Sequence, residues 1–441
     1  MRECINKNLL LLVAGVVLLF LLFMLNVFCG AVDVPYVEVF KALAGESTNE
    51  MWRLIVVETR LPQAIVALLA GAAGYVLGLY YSDNKKPNFT EEYVLYVRPE
   101  TTVSQIVDSL QAGAGTLRPR SIERCFKKME VETKVKPGRY VIEPSATSIY
   151  VARMLVFGWQ TPQNLVLSGT MRNKGRIAKK ISTQMMVDSA SVAQALDSAE
   201  FLKGYGFTPE NVFAMILPDT YQMYWTASVE DIFDRLKKEY DAFWTPERDA
   251  KAKAQSLSRM QVSVMASIVS GETLKDFEYP IIAGVYLNRY KKGMKLQADP
   301  TIAFCYDYTL DRILKKHLKV DSPYNTYMHV GLPPAPINVP PKACLDAVLN
   351  PDKHGYIYFC ASAAFDGTHK FAVTYSEHLK NAREFQRALT ARNRARAAAN
   401  AARWPSAISY RQVTPFSGAS KASRTEGEAN SFSNNLLNTS G

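Results

Sequence analysis

The six cysteines of this 441-residue sequence form no CxxC pair, and its five histidines form no HExxH or HxH pattern. The first absence removes metal-thiolate and thioredoxin-like chemistry, and the second removes the common ways of setting two imidazoles on one metal. Cys4, Cys29, Cys125, Cys305, Cys344 and Cys360 therefore read as core thiols, and neither a metal nor a cofactor is expected. Acidic charge is also in short supply. Fifty-two Lys and Arg face 41 Asp and Glu, a formal charge of +11 that suits anionic surroundings such as phospholipid, wall polymer or nucleic acid. The basic residues are spread out and no nucleic-acid-binding fold is recognisable, so nucleic acid is not expected as a partner. What remains is 48% hydrophobic and 21% charged, enough for two or three domains that each bury a core.

The mean hydropathy of −0.09 conceals a strongly apolar head. No residue from Asn8 to Val32 is charged, which predicts a membrane-spanning helix over about 9–29. The segment NVFCG lacks a small-x-small cleavage site, and Phe28 before Cys29 argues against a lipoprotein-like signal. A second uncharged run, Leu61 to Ser82, predicts a helix over about 62–81. Its Gly and Ala suit close helix packing in a membrane and its tyrosines suit the interface; a buried soluble helix is the alternative. Arg2 and Lys7 precede the first run, and Arg53 and Arg60 the second, so each alone would place its N-terminal side inside the cell. Two such signals in series conflict.

The body reads as α+β with helices dominating. Alternation at Tyr93 to Val97 predicts a strand, and Val103, Ile106, Val107 and Leu110 fall at helical spacing. A helix over Ile122 to Met129, a Lys136-Pro137-Gly138 turn, a strand over Tyr140 to Ile142 and a helix over Thr147 to Phe157 follow. Further helices are expected over Ile177 to Val187, Val192 to Lys203 and Val229 to Trp244. Gln261 to Glu272 contains VSVMASIV, the mark of a helix buried on most sides. At its end stands Glu272. Burial and the negative end of the helix dipole would both raise its pKa, as a general acid near neutrality requires. The alternative is a carboxylate solvated in the following loop, like its neighbours Asp276 and Glu278.

The segments LPDTYQMYW (217–225), ASIVSGET (266–273), AGVYLNRYKKGMKLQADPT (283–301), SPYNTY (322–327) and GLPPAPI (331–337), with YIYFCA and HKFAVTYSEHLKNAREFQ beyond, resemble the catalytic part of the endolytic murein transglycosylase (YceG-like) family over about residues 74–390. Residues 9–70, with VDVPYVEVFKAL and LIVVETRLPQAIVALLAGAA, are similar to the start of a FecCD-type iron-siderophore permease. The resemblance implies membrane segment 1–82, a LysM-like β-α-α-β module over 83–164 and a catalytic domain over 165–390, and the Ala/Arg-rich then Ser/Asn/Gly/Thr-rich composition beyond predicts a basic helix extension with a disordered tail over 391–441. It implies a peptidoglycan lytic endotransglycosylase that cleaves the bond between N-acetylmuramic acid and N-acetylglucosamine, leaving 1,6-anhydro ends and terminating nascent strands. Glycan strands, the cytoplasmic membrane and the peptidoglycan synthase complex are the implied partners, with the body on the outer side of that membrane.

The family's catalytic glutamate falls on Glu272. Gln297, Asp299, Tyr324 and Asn325 are candidates for hydrogen bonding to sugars, and Tyr221 and Trp225 for stacking on sugar rings or for core packing. Asn288 and Arg289 would brace the site, although Arg289 fits an exposed ion pair equally. Ser270 stands where the family commonly has an acid, which leaves the hydrogen bonding of Glu272 open. A noncatalytic glycan-binding scaffold and a permease-derived transport component are the competing readings.

Overall fold

A computed structural model describes residues 2–403, with side chains described over 15–400; the tail expected to be disordered, 406–441, lies outside the described residues. Two compact units divide the chain, residues 1–161 and 162–441.

The first unit begins with α1 (Arg2–Phe28), α2 (Tyr36–Ala44) and α3 (Glu50–Arg53), which runs through a π-helical stretch (Leu54–Arg60) into α4 (Leu61–Asn84). The result is one helix from Glu50 to Asn84, about 50 Å long at the usual rise, and among the described residues the one long and apolar enough to cross a membrane. The part of α1 whose side chains are described, Gly15–Phe28, is apolar but shorter. Arg60 is buried, and its guanidinium donates to Phe28 O at 3.0 Å, to Val27 O at 3.3 Å and to Val32 O. It therefore satisfies carbonyls at and just beyond the C-terminal end of α1. One expectation is corrected. Cys29 is exposed, whereas Cys125, Cys344 and Cys360 are buried. Nothing lies within 4 Å of where a Cβ would sit on Gly71, Gly74 or Gly78, so no described element packs against those small residues.

Beyond α4 come β1 (Tyr93–Val97), α5 (Val103–Gly113), α6 (Pro119–Met129), α7 (Val131–Lys134), β2 (Gly138–Ile142) and α8 (Ser148–Phe157). The strands pair antiparallel, Leu95 opposite Tyr140, and bury Leu95 and Tyr140 with Ile106, Ile122 and Leu155. Thr102 and Gln105 form a reciprocal capping box that starts α5. Asp83 at the end of α4 accepts from Ser121 Oγ at 2.6 Å and from Arg124 at 2.6 and 3.1 Å, which ties that helix into the module.

The second unit opens with β3 (Gln163–Leu167), α9 (Lys174–Ser182), α10 (Ser189–Asp197) and α11 (Ala199–Lys203). The helix expected over 192–203 is thus two, because Ser198 is extended and caps the second. Next are β4 (Asp219–Met223), α12 (Val229–Phe243), α13 (Pro246–Ala254), α14 (Arg259–Glu272), α15 (Tyr279–Lys291), α16 (Asp299–Cys305) and α17 (Lys342–Leu349). The chain closes with the hairpin β5 (Tyr358–Ala361) and β6 (His369–Ala372) and with α18 (Tyr375–Arg403). β3 pairs antiparallel with β4, and β5 with β6. A Ser258/Gln261 capping box starts α14, and every residue from Val262 to Val269 is buried, against α15, α16 and α17.

Candidate active site

Glu272 is the last residue of α14. Its Oε1 accepts from Tyr286 Oη of α15 at 2.5 Å. Burial of the carboxyl raises its pKa most; the Tyr286 hydrogen bond opposes this, the charge of Asp299 adds to it, and Arg289 opposes it, the outcome being about 8. The residue keeps some accessible surface. A proton donor held neutral at physiological pH, close to solvent, is what the geometry offers. Of the two alternatives for Glu272, the structure thus favours the buried one. Asp276 is exposed, but Glu278 is 2% exposed: it accepts from Thr273 Oγ1 at 3.0 Å and from His369 N at 2.7 Å, and lies 2.8 Å from His369 Nδ1. It locks the loop after α14 to the β5–β6 hairpin and is not solvated as expected.

Asp299 begins α16, and its position follows from three motifs that interlock. Gly271 allows the approach, since a Cβ there would sit 2.5 Å from Pro300 Cβ. Gln297 adopts φ +50°, a left-handed conformation uncommon for a non-glycine residue and sustained here by its surroundings. Gln297 N donates to Thr326 O at 3.1 Å, Ala298 N to Thr326 Oγ1 at 2.9 Å, and Thr301 Oγ1 to Ala298 O at 2.7 Å. Tyr327 Oη then donates to Asp299 Oδ1 at 2.6 Å. Burial raises the Asp299 pKa, and the Tyr327 bond works against that. Asp299 thus bears on Glu272, and each carboxyl has its own tyrosine.

The 331–341 loop is fastened to α14. Ser267 Oγ donates to Val264 O at 2.7 Å and accepts from Ile337 N at 3.1 Å; Asn338 Nδ2 donates to Ser267 O at 2.9 Å; Ser270 Oγ lies 3.0 Å from Asn338 Oδ1. Ser270 therefore joins helix to loop and does not bond Glu272. Arg289 is buried, donating to Ile357 O and Leu296 O, both at 2.6 Å, which excludes the exposed ion pair. Asn288 donates to His354 O at 2.9 Å and Tyr356 O at 3.0 Å.

Three sequence candidates, Tyr221, Trp225 and Asn325, are buried. Tyr221 is 2% exposed, in the core and donating to Leu217 O, and Trp225 is likewise buried; neither ring has a free face for a sugar. The Asn325 amide is buried and occupied within its own loop, donating to Leu318 O at 3.0 Å and Val320 O at 2.7 Å and accepting from Tyr327 N at 2.9 Å. Tyr324 is half-buried against Phe304. Tyr286 and Tyr327 were not singled out by sequence; for Tyr286 the available signal is helical spacing with Ile282 and Arg289 on the buried side of α15. No group of three or more His, Cys, Asp or Glu side chains suited to a metal occurs among the described residues.

Residues 95–384, well over half of the chain, match the model of the YceG-like family. The chain belongs to the YceG-like family. An endolytic murein transglycosylase of Bacillus subtilis is 36% identical over 179 residues, 41% of this chain and 46% of the relative. One of Streptococcus pneumoniae is 23% identical over 348 residues, 72% of this chain and 63% of the relative. The chain thus spans about half to under two thirds of those relatives' lengths. A crystal structure of a YceG-like protein from Listeria monocytogenes matches with TM-score 0.45 at 27% identity, covering 66% of this chain and 98% of that one. The family match begins beyond the apolar head.

Proposed function

We propose that this YceG-like chain is a membrane-anchored peptidoglycan lytic transglycosylase acting within glycan strands. The observation that carries the reading is Glu272, a carboxyl whose pKa is raised to about 8 at the end of a buried helix. Ordinary glycosidases need a second carboxylate as nucleophile or base. Here the substrate can supply the nucleophile. Glu272 gives its proton to the oxygen leaving toward N-acetylglucosamine as the bond to the anomeric carbon of N-acetylmuramic acid breaks. The 6-hydroxyl of the same muramic residue attacks that carbon, and the Glu272 carboxylate takes the hydroxyl proton. The acid is regenerated and the product carries a 1,6-anhydro ring. Intramolecular attack gains from high effective molarity. Gln297 and Tyr324 are the proposed sugar-binding groups at its edge, and Asp299 bears on the charge of the site.

In this reading the head anchors the chain in the cytoplasmic membrane with the body on its outer side, residues 83–164 form a LysM-like module and 165–390 the catalytic domain. Strand termination beside the synthase complex is the corresponding role. Incubating the full chain in detergent with purified sacculi, followed by mass spectrometry, tests it. Release of 1,6-anhydro muropeptides, reduced about 10²- to 10⁴-fold in Glu272→Gln, is expected. Reducing ends would indicate hydrolysis, and binding without cleavage a scaffold.

A further inference from the structure

The solvent face of α8 is unusual. Every other residue of this helix is buried, and its exposed stripe is Tyr150, Arg153 and Phe157, where a surface helix ordinarily shows charged and polar side chains. Gly158, at φ +70°, turns the chain back, and Trp159 N donates to Met154 O at 3.0 Å. Trp159 is thereby folded onto the same face. Its ring centroid lies 5.6 Å from Phe157, the planes 28° apart, and 5.8 Å from Tyr150. The three rings are 49%, 53% and 47% exposed in chain order. A contiguous exposed aromatic surface on a rigid helix and cap marks a binding site more than a random leftover.

We propose that Tyr150, Phe157 and Trp159 form a shelf that binds the apolar faces of sugar rings along a peptidoglycan strand, with Arg153 meeting a carboxylate of the lactyl or peptide substituents. The shelf lies within the 83–164 segment, on the helix that follows β2 and beyond the paired strands. The proposal rests on the reading of this chain as a glycan-cleaving enzyme. Flat rings with few rotatable bonds lose little entropy on binding, and sugars offer flat C–H faces. The cation within the stripe complements the strand's anionic substituents.

Binding of the full chain to sacculi is measured in detergent in the Glu272→Gln background, which stops turnover. Trp159→Ala and Phe157→Ala are each expected to weaken binding at least about fivefold, as truncated aromatic anchors commonly do, and Trp159→Phe to retain part of it. Unchanged affinity in all three overturns the shelf. So does quenching of Trp159 by brominated lipid in reconstituted bilayers, with Trp159→Phe as the control, since the rings would then lie in the membrane. If a Trp159 variant fails to fold, Tyr150→Ala at the opposite end decides by the same measure. Wild-type cleavage, scored separately by mass spectrometry, separates the two ideas: cleavage with intact variant binding sinks the shelf alone, whereas lost variant binding without wild-type cleavage sinks the enzyme reading alone.

Discussion

α4 and α14 present nearly the same signal to a reader of sequence, a long run with hardly a charge, yet they occupy opposite environments. In α14 every residue from Val262 to Val269 is buried. In α4, of 24 residues, Ala64 alone is. Apolar composition says that a helix avoids water and leaves open whether protein or lipid replaces it. The small residues make the difference concrete. Ser267 and Ser270 of α14 bond the 331–341 loop, and Gly271 admits Pro300. Gly71, Gly74 and Gly78 of α4 meet nothing. The small and polar positions of α14 assemble a site, whereas the glycines of α4 stay at its surface.

The strongest way to break this contrast is to place one charge in each helix. Ala266→Asp sets an unpaired carboxylate in the core and is expected to destabilise the second unit by about 4 kcal/mol or more, read as loss of the cooperative thermal transition. Leu69→Asp is expected to leave that transition in place in detergent and to cost about 3 kcal/mol of insertion, read as a lower membrane-bound fraction. Equal thermal losses in both would show that α4 packs inside protein.

A smaller effect is expected at Gly271. A Cβ there must push Pro300 aside, at about 1–3 kcal/mol, and Asp299 with it. Gly271→Ala should therefore lower cleavage by more than its thermal shift explains. Gly71→Ala in α4 should leave both unchanged.

The smallest expected effects are shifts in pH dependence. Cleavage that needs protonated Glu272 falls as pH rises through about 8. The Tyr286 hydrogen bond favours the charged carboxylate, so Tyr286→Phe moves that fall to higher pH; the Asp299 charge disfavours it, so Asp299→Asn moves the fall lower. A profile indifferent to both variants would remove the two carboxyls from any common electrostatic site.

Local signals were legible where a single period ruled. Alternation marked β1 over Tyr93–Val97, and a uniform apolar run marked α14 with Glu272 at its end. The interlocking of LQADPT with SPYNTY was not, because Thr326, Thr301 and Tyr327 act through contacts across the fold that no spacing encodes. The same blindness applies to Asn325 and Tyr221: an amide and a phenol in a motif look alike whether they face a ligand or staple a loop. Glu278 is the mirror case, an acid in a polar loop that the β5–β6 hairpin reaches over and buries.

The protonation state of Glu272 can be observed without any substrate. In the infrared difference between wild type and Glu272→Gln, a protonated-carboxyl band present at pH 6–7 and lost with a midpoint near 8 is expected. A Glu272 carboxyl already ionised in the ordinary range, near pH 4–5, would contradict a general acid held neutral by burial.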